Sequence, residues 1–177
     1  MKVLALDIAT QTGIAIGDVG GAPKCYSVDL GKKDSHDVRF SRLLRMVDRL
    51  IREEKPDYIA VEAPIGGPQA SAFLIGLVAI VRAVSAARGV PCEDLHIGSV
   101  RKHFLGKVPT TRGMAAKDKR AAVAAIKGLI VARCRSLGWN VPDHDSADAA
   151  ACFDFACSSL SPAHGAMTSP LFGGSNG

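Results

Sequence analysis

The first thirty residues carry the strongest constraint on the fold. "KVLALDIA" (Lys2 to Ala9), "GIAIGD" (Gly13 to Asp18) and "KCYSVDL" (Lys24 to Leu30) are short, apolar runs rich in β-forming residues, each set off from the next by a turn. Runs this short, joined this tightly, predict an antiparallel meander of three strands. The period then changes. Phe40, Leu43, Leu44, Val47, Leu50 and Ile51 recur at helical spacing, with Asp34 or Ser35 as the cap. "PDYIAVEAP" reads as a strand between two prolines. Ala70 to Arg88 reads as a long helix stopping before Gly89, "CEDLHIG" as a weak strand and "SVRKHFLG" as a short helix. Val123, Ile126, Ile130, Cys134 and Leu137 form the stripe of another helix, and a last helix begins near Asp145 and runs to about Ser158. A meander followed by alternating helices and strands predicts an α/β domain, with a mixed five-stranded sheet and helices on both faces.

Within this pattern four carboxylates are out of place. Asp7 lies between Leu6 and Ile8, late in the first strand, and Glu62 is the only acid of "YIAVEAP", at its C-terminal end. A charge inside an apolar strand is costly to desolvate unless it is paired or bound to a metal. Ligand sites of open α/β sheets lie beyond the carboxyl ends of the strands. If the first and fourth strands are parallel neighbours, Asp7 and Glu62 meet there. In "HDSADAA", Asp145 and Asp148 are three residues apart and His144 precedes Asp148 by four, so all three share one face of a helix's first turn. Capping by Asp143 or Asp145 explains one carboxylate. It does not explain Asp148, set among Ala147, Ala149, Ala150 and Ala151.

Four carboxylates brought together cannot all stay ionised without a compensating cation. Mg2+ suits such a site, taking a few carboxylates and recruiting substrate phosphates to complete its shell. Two such ions about 4 Å apart stabilise the attacking and leaving oxygens of phosphodiester cleavage. Zinc does not suit it, since no Cys/His cluster has ligand spacing. The charge distribution agrees with a polyanionic partner. The 177 residues hold 22 Lys and Arg against 17 Asp and Glu, and between Ser99 and Arg120 the bases Arg101, Lys102, Lys107, Arg112, Lys117, Lys119 and Arg120 face Asp118 alone. That stretch is either a solvated loop or a phosphate-binding stripe.

"LALDIATQTGIAIGD", "YIAVEAP" and "DSADAAA", in this order and at these separations, resemble the RuvC family of Holliday junction resolvases. "IGSVRKHFLG" followed by "AAKDKRAAV" extends the likeness over roughly residues 1 to 160. The resemblance implies an RNase H-like fold and a homodimeric, Mg2+-dependent endonuclease that nicks opposing strands of a four-way DNA junction. It implies Asp7, Glu62, Asp145 and Asp148 as catalytic, metal-binding acids for two Mg2+ ions per site, with Mn2+ as a substitute. Lys117 matches a family lysine that contacts the scissile phosphate, and His144 is an accessory neighbour for water or phosphate. Arg101, Lys102, Lys107, Arg112, Lys119 and Arg120 would bind DNA. The helix containing "SAFLIGLVAIVRAVSAA", apolar nearly all round, would lie at the subunit interface.

The chain also departs from the family. Ile8-Ala9 follows the first Asp where Pro-Gly is usual. The aromatic that wedges into the junction has no counterpart directly after Glu62, only Ile65 and then Phe73. The stretch from Lys107 to Gly138 is longer than is typical, as in a divergent, phage-type relative.

Rival readings remain open at this point. The same metal chemistry serves an RNase H-like nuclease acting on RNA–DNA hybrids, flaps or single strands. A catalytically silent module that binds branched DNA is a second rival, although it has no need for four buried acids. An actin-like ATPase would need a second phosphate loop and far more chain. Five cysteines without a CxxC pair and the absence of a leader pattern predict reduced thiols in a soluble, cytoplasmic protein with no membrane contact. From Ser158 the composition shifts to Ser, Pro and Gly, predicting a disordered tail over residues 161–177 beyond a nuclease domain of residues 1–160. On that tail, Leu171-Phe172 is an apolar pair suited to a partner's groove, such as that of a sliding clamp.

Overall fold

A computed structural model describes residues 1–64, 66, 70–107 and 113–169. Strands β1 (Lys2–Asp7), β2 (Gln11–Asp18) and β3 (Lys24–Asp29) form the expected meander. After them come α1 (His36–Glu54), β4 (Tyr58–Glu62), α2 (Ala72–Ala87), β5 (Cys92–Leu95), α3 (Ile97–Leu105), α4 (Ala116–Ser136), α5 (His144–Leu160) and α6 (Pro162–Thr168). The sheet order is β3-β2-β1-β4-β5, with β4 parallel to both β1 and β5. The sheet is therefore mixed, as read from the sequence. Of the two expected caps for α1, Ser35 serves, its side chain accepting from the Val38 amide.

Strand alternation divides the core in two. Leu4, Leu6, Ile14, Ile16, Ile59 and Val61 pack with residues of α1 and α2 such as Leu43, Val47, Leu77 and Val81. Val3, Ala5, Ala15 and Ala60 face the other way, towards Phe104, Ile126, Ile130 and the alanines of α5. The period of two puts Asp7 on the face of Val3 and Ala5, and Glu62 on that of Ala60. Both acids are thereby aimed at α5. The same face of β2 presents Gly13, Ala15 and Gly17, the first opposite Asp7 and the last opposite Val3. This small-residue track lets α5 lie close to the sheet: a Cβ at Gly13 would run into the carbonyl of Asp145.

One expectation is corrected. Residues 161–177 are not uniformly a disordered tail, because Pro162–Thr168 forms α6 and packs against α5. Pro162 stands at the first helical position, where its missing N–H costs nothing. His164 is buried in α6; its Nδ1 accepts from the Gly20 amide at 3.0 Å, leaving Nε2 to donate to Asp154 at 3.1 Å. Residues 170–177, with Leu171-Phe172, lie outside the described residues. In the single chain α2 is covered on one side only. Leu77, Val78 and Val81 are buried, whereas Ile75 is 47% exposed. All five cysteines are free, with Cys134, Cys152 and Cys157 buried. No helix among the described residues is long and apolar enough to cross a membrane.

Candidate active site

The first turn of α5 settles which aspartate caps. Asp143 is the N-cap: its Oδ1 accepts from the Ser146 amide at 2.8 Å, and the Ser146 hydroxyl in turn accepts from the Asp143 amide. Ser27 of β3 donates to the other Asp143 oxygen at 2.5 Å, pinning the helix start to the sheet. Asp145 and Asp148 are thus released from capping. They line a cavity of about 220 Å³ together with Asp7, Glu62, Arg101 and Lys127, closed on one side by Leu74 and Val78. Asp7 and Glu62 reach it because Leu6 and Val61 are register partners on parallel strands, so the next residues end side by side.

Burial dominates the electrostatics of this cavity. Desolvation pushes the Asp7 carboxyl well above the usual carboxylate range, reinforced by the charges of Glu62 and Asp148. Glu62 is raised to about 7, again chiefly by burial and then by Asp148, with Arg101 and Lys127 pulling the other way. Asp148 is raised by burial despite Lys127 and Arg101. Lys127 places its Nζ 3.5 Å from Asp145 Oδ1 and 3.4 Å from Asp148 Oδ2. These carboxylates hold its ammonium charged against the opposing effect of burial.

Among the described residues no group of three or more His, Cys, Asp or Glu side chains is preassembled to hold a metal ion. The donor set nonetheless fits a hard divalent cation. It consists of oxygens alone, burial holds the carboxyls of Asp7, Glu62 and Asp148 above the usual carboxylate range, and Asp148 Oδ1 is buried without a hydrogen-bond partner.

The structure brings together the four predicted acids and separates them from the predicted accessories. His144 is the exposed first residue of α5 and does not line the cavity. Lys117 is exposed in the first turn of α4, ten residues before Lys127, and the α4 lysine beside the acids is Lys127 instead. Sequence reasoning missed Lys127. Its one signal was a lone lysine in the small, apolar run "AAVAAIKGLIVA". Arg101 leaves the basic stripe and turns into the acidic cavity, where its Nε is buried without a partner. Lys102, Lys107, Lys119 and Arg120 are exposed, and Arg112 lies outside the described residues. Phe73 is no free wedge, because it stacks on His36 at 4.4 Å and Phe40 at 5.5 Å with the Arg39 guanidinium 4.6 Å from its ring centre. Ile65 is outside the described residues.

No family model matches the chain. The crossover junction endodeoxyribonuclease RuvC of Chlorobium phaeovibrioides is 34% identical over 133 residues, spanning 71% of this chain and 68% of the relative. T. thermophilus RuvC in complex with Holliday junction substrate superimposes with a TM-score of 0.65 at 18% identity, over 90% of this chain and 95% of the other. Thermus thermophilus RuvC in a separate structure gives 0.62 at 22% identity, over 90% and 96%. The yeast mitochondrial Holliday junction resolvase Ydc2 gives 0.51 at 12% identity, over 85% and 75%. These structures share the fold, a mixed five-stranded sheet flanked by helices.

Proposed function

Because this chain belongs to the RuvC family of crossover junction endodeoxyribonucleases, we propose that it resolves four-way DNA junctions by hydrolysing one phosphodiester on each of two opposing strands. One observation carries the assignment of the site. Asp7 and Glu62, at the ends of adjacent parallel strands, face the first turn of a helix whose Asp148 keeps a buried, unpartnered oxygen. Asp7, Glu62, Asp145 and Asp148 would hold Mg2+, two ions per site with Mn2+ as a substitute. Such ions supply charge neutralisation and Lewis acidity at the phosphodiester.

The chain's own residues do the rest. The β1 and β4 backbones fix Asp7 and Glu62, while the Asp143–Ser146 cap and the Ser27 bond fix the turn that carries Asp145 and Asp148. Arg101 offsets charge on Glu62 and Asp148 inside the cavity. The exposed Lys102, Lys107, Lys119 and Arg120 hold the DNA backbone, contributing affinity without sequence preference. The protein acts as a homodimer. Ile75 of α2 and Leu44 of α1, 47% and 48% exposed on two helices that pack together, are apolar side chains open to a second copy. Two-fold symmetry then matches two symmetric cuts.

The experiment is cleavage of an end-labelled four-way junction with Mg2+, beside matched duplex, flap and RNA–DNA hybrid, with Asp7→Asn as control. Paired symmetric nicks on the junction, lost in Asp7→Asn while binding persists, are expected. Cleavage of hybrid or flap alone would replace the substrate assignment, and tight junction binding without any cutting would leave a binding module.

A further inference from the structure

We propose that Lys127 stands in for one divalent cation in the DNA-free protein, so that the site accepts a single ion until phosphate arrives or Lys127 withdraws. The inference rests on the reading of the four acids as metal ligands. Lys127 bridges the two carboxylates of α5, 3.5 Å from Asp145 and 3.4 Å from Asp148. It does not reach them from a neighbouring turn of the same helix. It comes from the middle of α4, across the interface between the two helices. It lies at the open side of the site, with its side chain 32% exposed, whereas that of Asp148 is 4% exposed.

Charge sets the stoichiometry. Lining the cavity are four carboxylates and two cationic side chains, Arg101 and Lys127. Counted in the deprotonated form that binds metal, the four carboxylates against the two cations leave two negative charges, which one divalent ion neutralises. A second ion would leave two positive charges in a cavity of about 220 Å³. That excess is relieved only by an incoming phosphate or by removal of the lysine. Lysine suits an exchangeable role, being a compact point charge on a flexible stem. Arg101, with its Nε buried, is the fixed cation of the pair.

The test counts Mn2+ ions bound to the full chain without DNA, by electron paramagnetic resonance of free Mn2+ and by calorimetry. Wild type, Lys127→Met and Lys127→Arg are compared, with folding checked by circular dichroism. Expected are one ion in wild type and in Lys127→Arg, and in Lys127→Met a second ion bound at least tenfold more tightly than wild type binds it. Two ions of similar affinity in free wild type would overturn the inference while leaving the metal site intact. Equal stoichiometry and affinity in Lys127→Met and wild type would overturn it likewise. Should Lys127→Met not fold, the wild-type count still decides. No Mn2+ bound by wild type, with or without junction DNA, would bring down the reading of the acids themselves.

Discussion

Replacing Gly13 with alanine tests how the site is positioned, without touching any group that carries charge. Gly13 pairs with Asp7 across the β1–β2 ladder, and a Cβ built on it would stand 2.5 Å from the Asp145 carbonyl carbon and nearer still to its oxygen. Real Cβ contacts essentially never fall below 3.0 Å, so from 2.5 Å the first turn of α5 must retreat by at least 0.5 Å, and further for the oxygen. It has little freedom to do so smoothly, because Asp143 is bonded to Ser27 and Ala147, Ala149 and Ala150 are buried behind it. Displacement of a catalytic constellation by about 1 Å costs on the order of 100-fold in rate. Overpacking of this kind costs about 1–3 kcal/mol in stability. Gly17→Ala is the matched control. Its Cβ would meet Pro23 Cα at 3.1 Å and the Ala22 carbonyl at 3.2 Å, well away from the acids, so it loses stability but keeps its rate. Single-turnover cleavage of a labelled junction and urea midpoints, measured on both variants, separate the two effects. A Gly13→Ala protein cutting at the wild-type rate would refute the claim that this close approach sets the acid geometry.

Asp154 offers a pH test away from the site. Burial raises its carboxyl, but hydrogen bonds from His103, His164 and Thr168 outweigh that and hold it down to about 2. A depressed folded value contributes stability that is present above the unfolded value of about 4 and is lost as pH falls from there towards 2. Urea midpoints followed from pH 5 to pH 2 should drop in wild type over that window, and an unchanged midpoint would remove the network from the account. Asp154→Ala should destabilise by about 3 kcal/mol at neutral pH, since two imidazoles lose a charged acceptor. A loss near zero in equilibrium unfolding would mean that α6 is held by packing alone. Junction binding, followed by fluorescence anisotropy, should weaken steeply with salt, by about 0.9 log units per log unit of salt for each phosphate contact. Lys102→Glu with Lys107→Glu should flatten that slope, and no change would take these residues off the DNA.

What was legible in the chain was what local period encodes. The alternation through Val3, Ala5 and Asp7 already places the acid on one strand face, and the same holds for Ala60 and Glu62. Parallel pairing of β1 and β4 follows from the order of strands and helices. The misreadings were all tertiary. Lys127 is three places from the buried Ile130 and next to the buried Ile126, and nothing local says that it crosses to another helix. Arg101 looked like its neighbour Lys102, because which side of a short helix meets the acids depends on how α3 docks. α6 was hidden because proline and glycine weigh against helix, while the burial of His164 that stabilises it comes from Asp154 and Gly20.

That α5 arrives so late in the chain has a consequence for biosynthesis. Gly20 and His164 are bonded across 144 positions, and Ser27 and Asp143 across 116. The amino-terminal meander therefore leaves the ribosome with its Gly13–Ala15–Gly17 track bare, and it waits for nearly the whole domain to be translated before that face is covered. Contacts so distant in sequence close slowly. Until they do, Asp7 and Glu62 stand without Asp145 and Asp148, and the growing polypeptide carries only half of the acidic cavity.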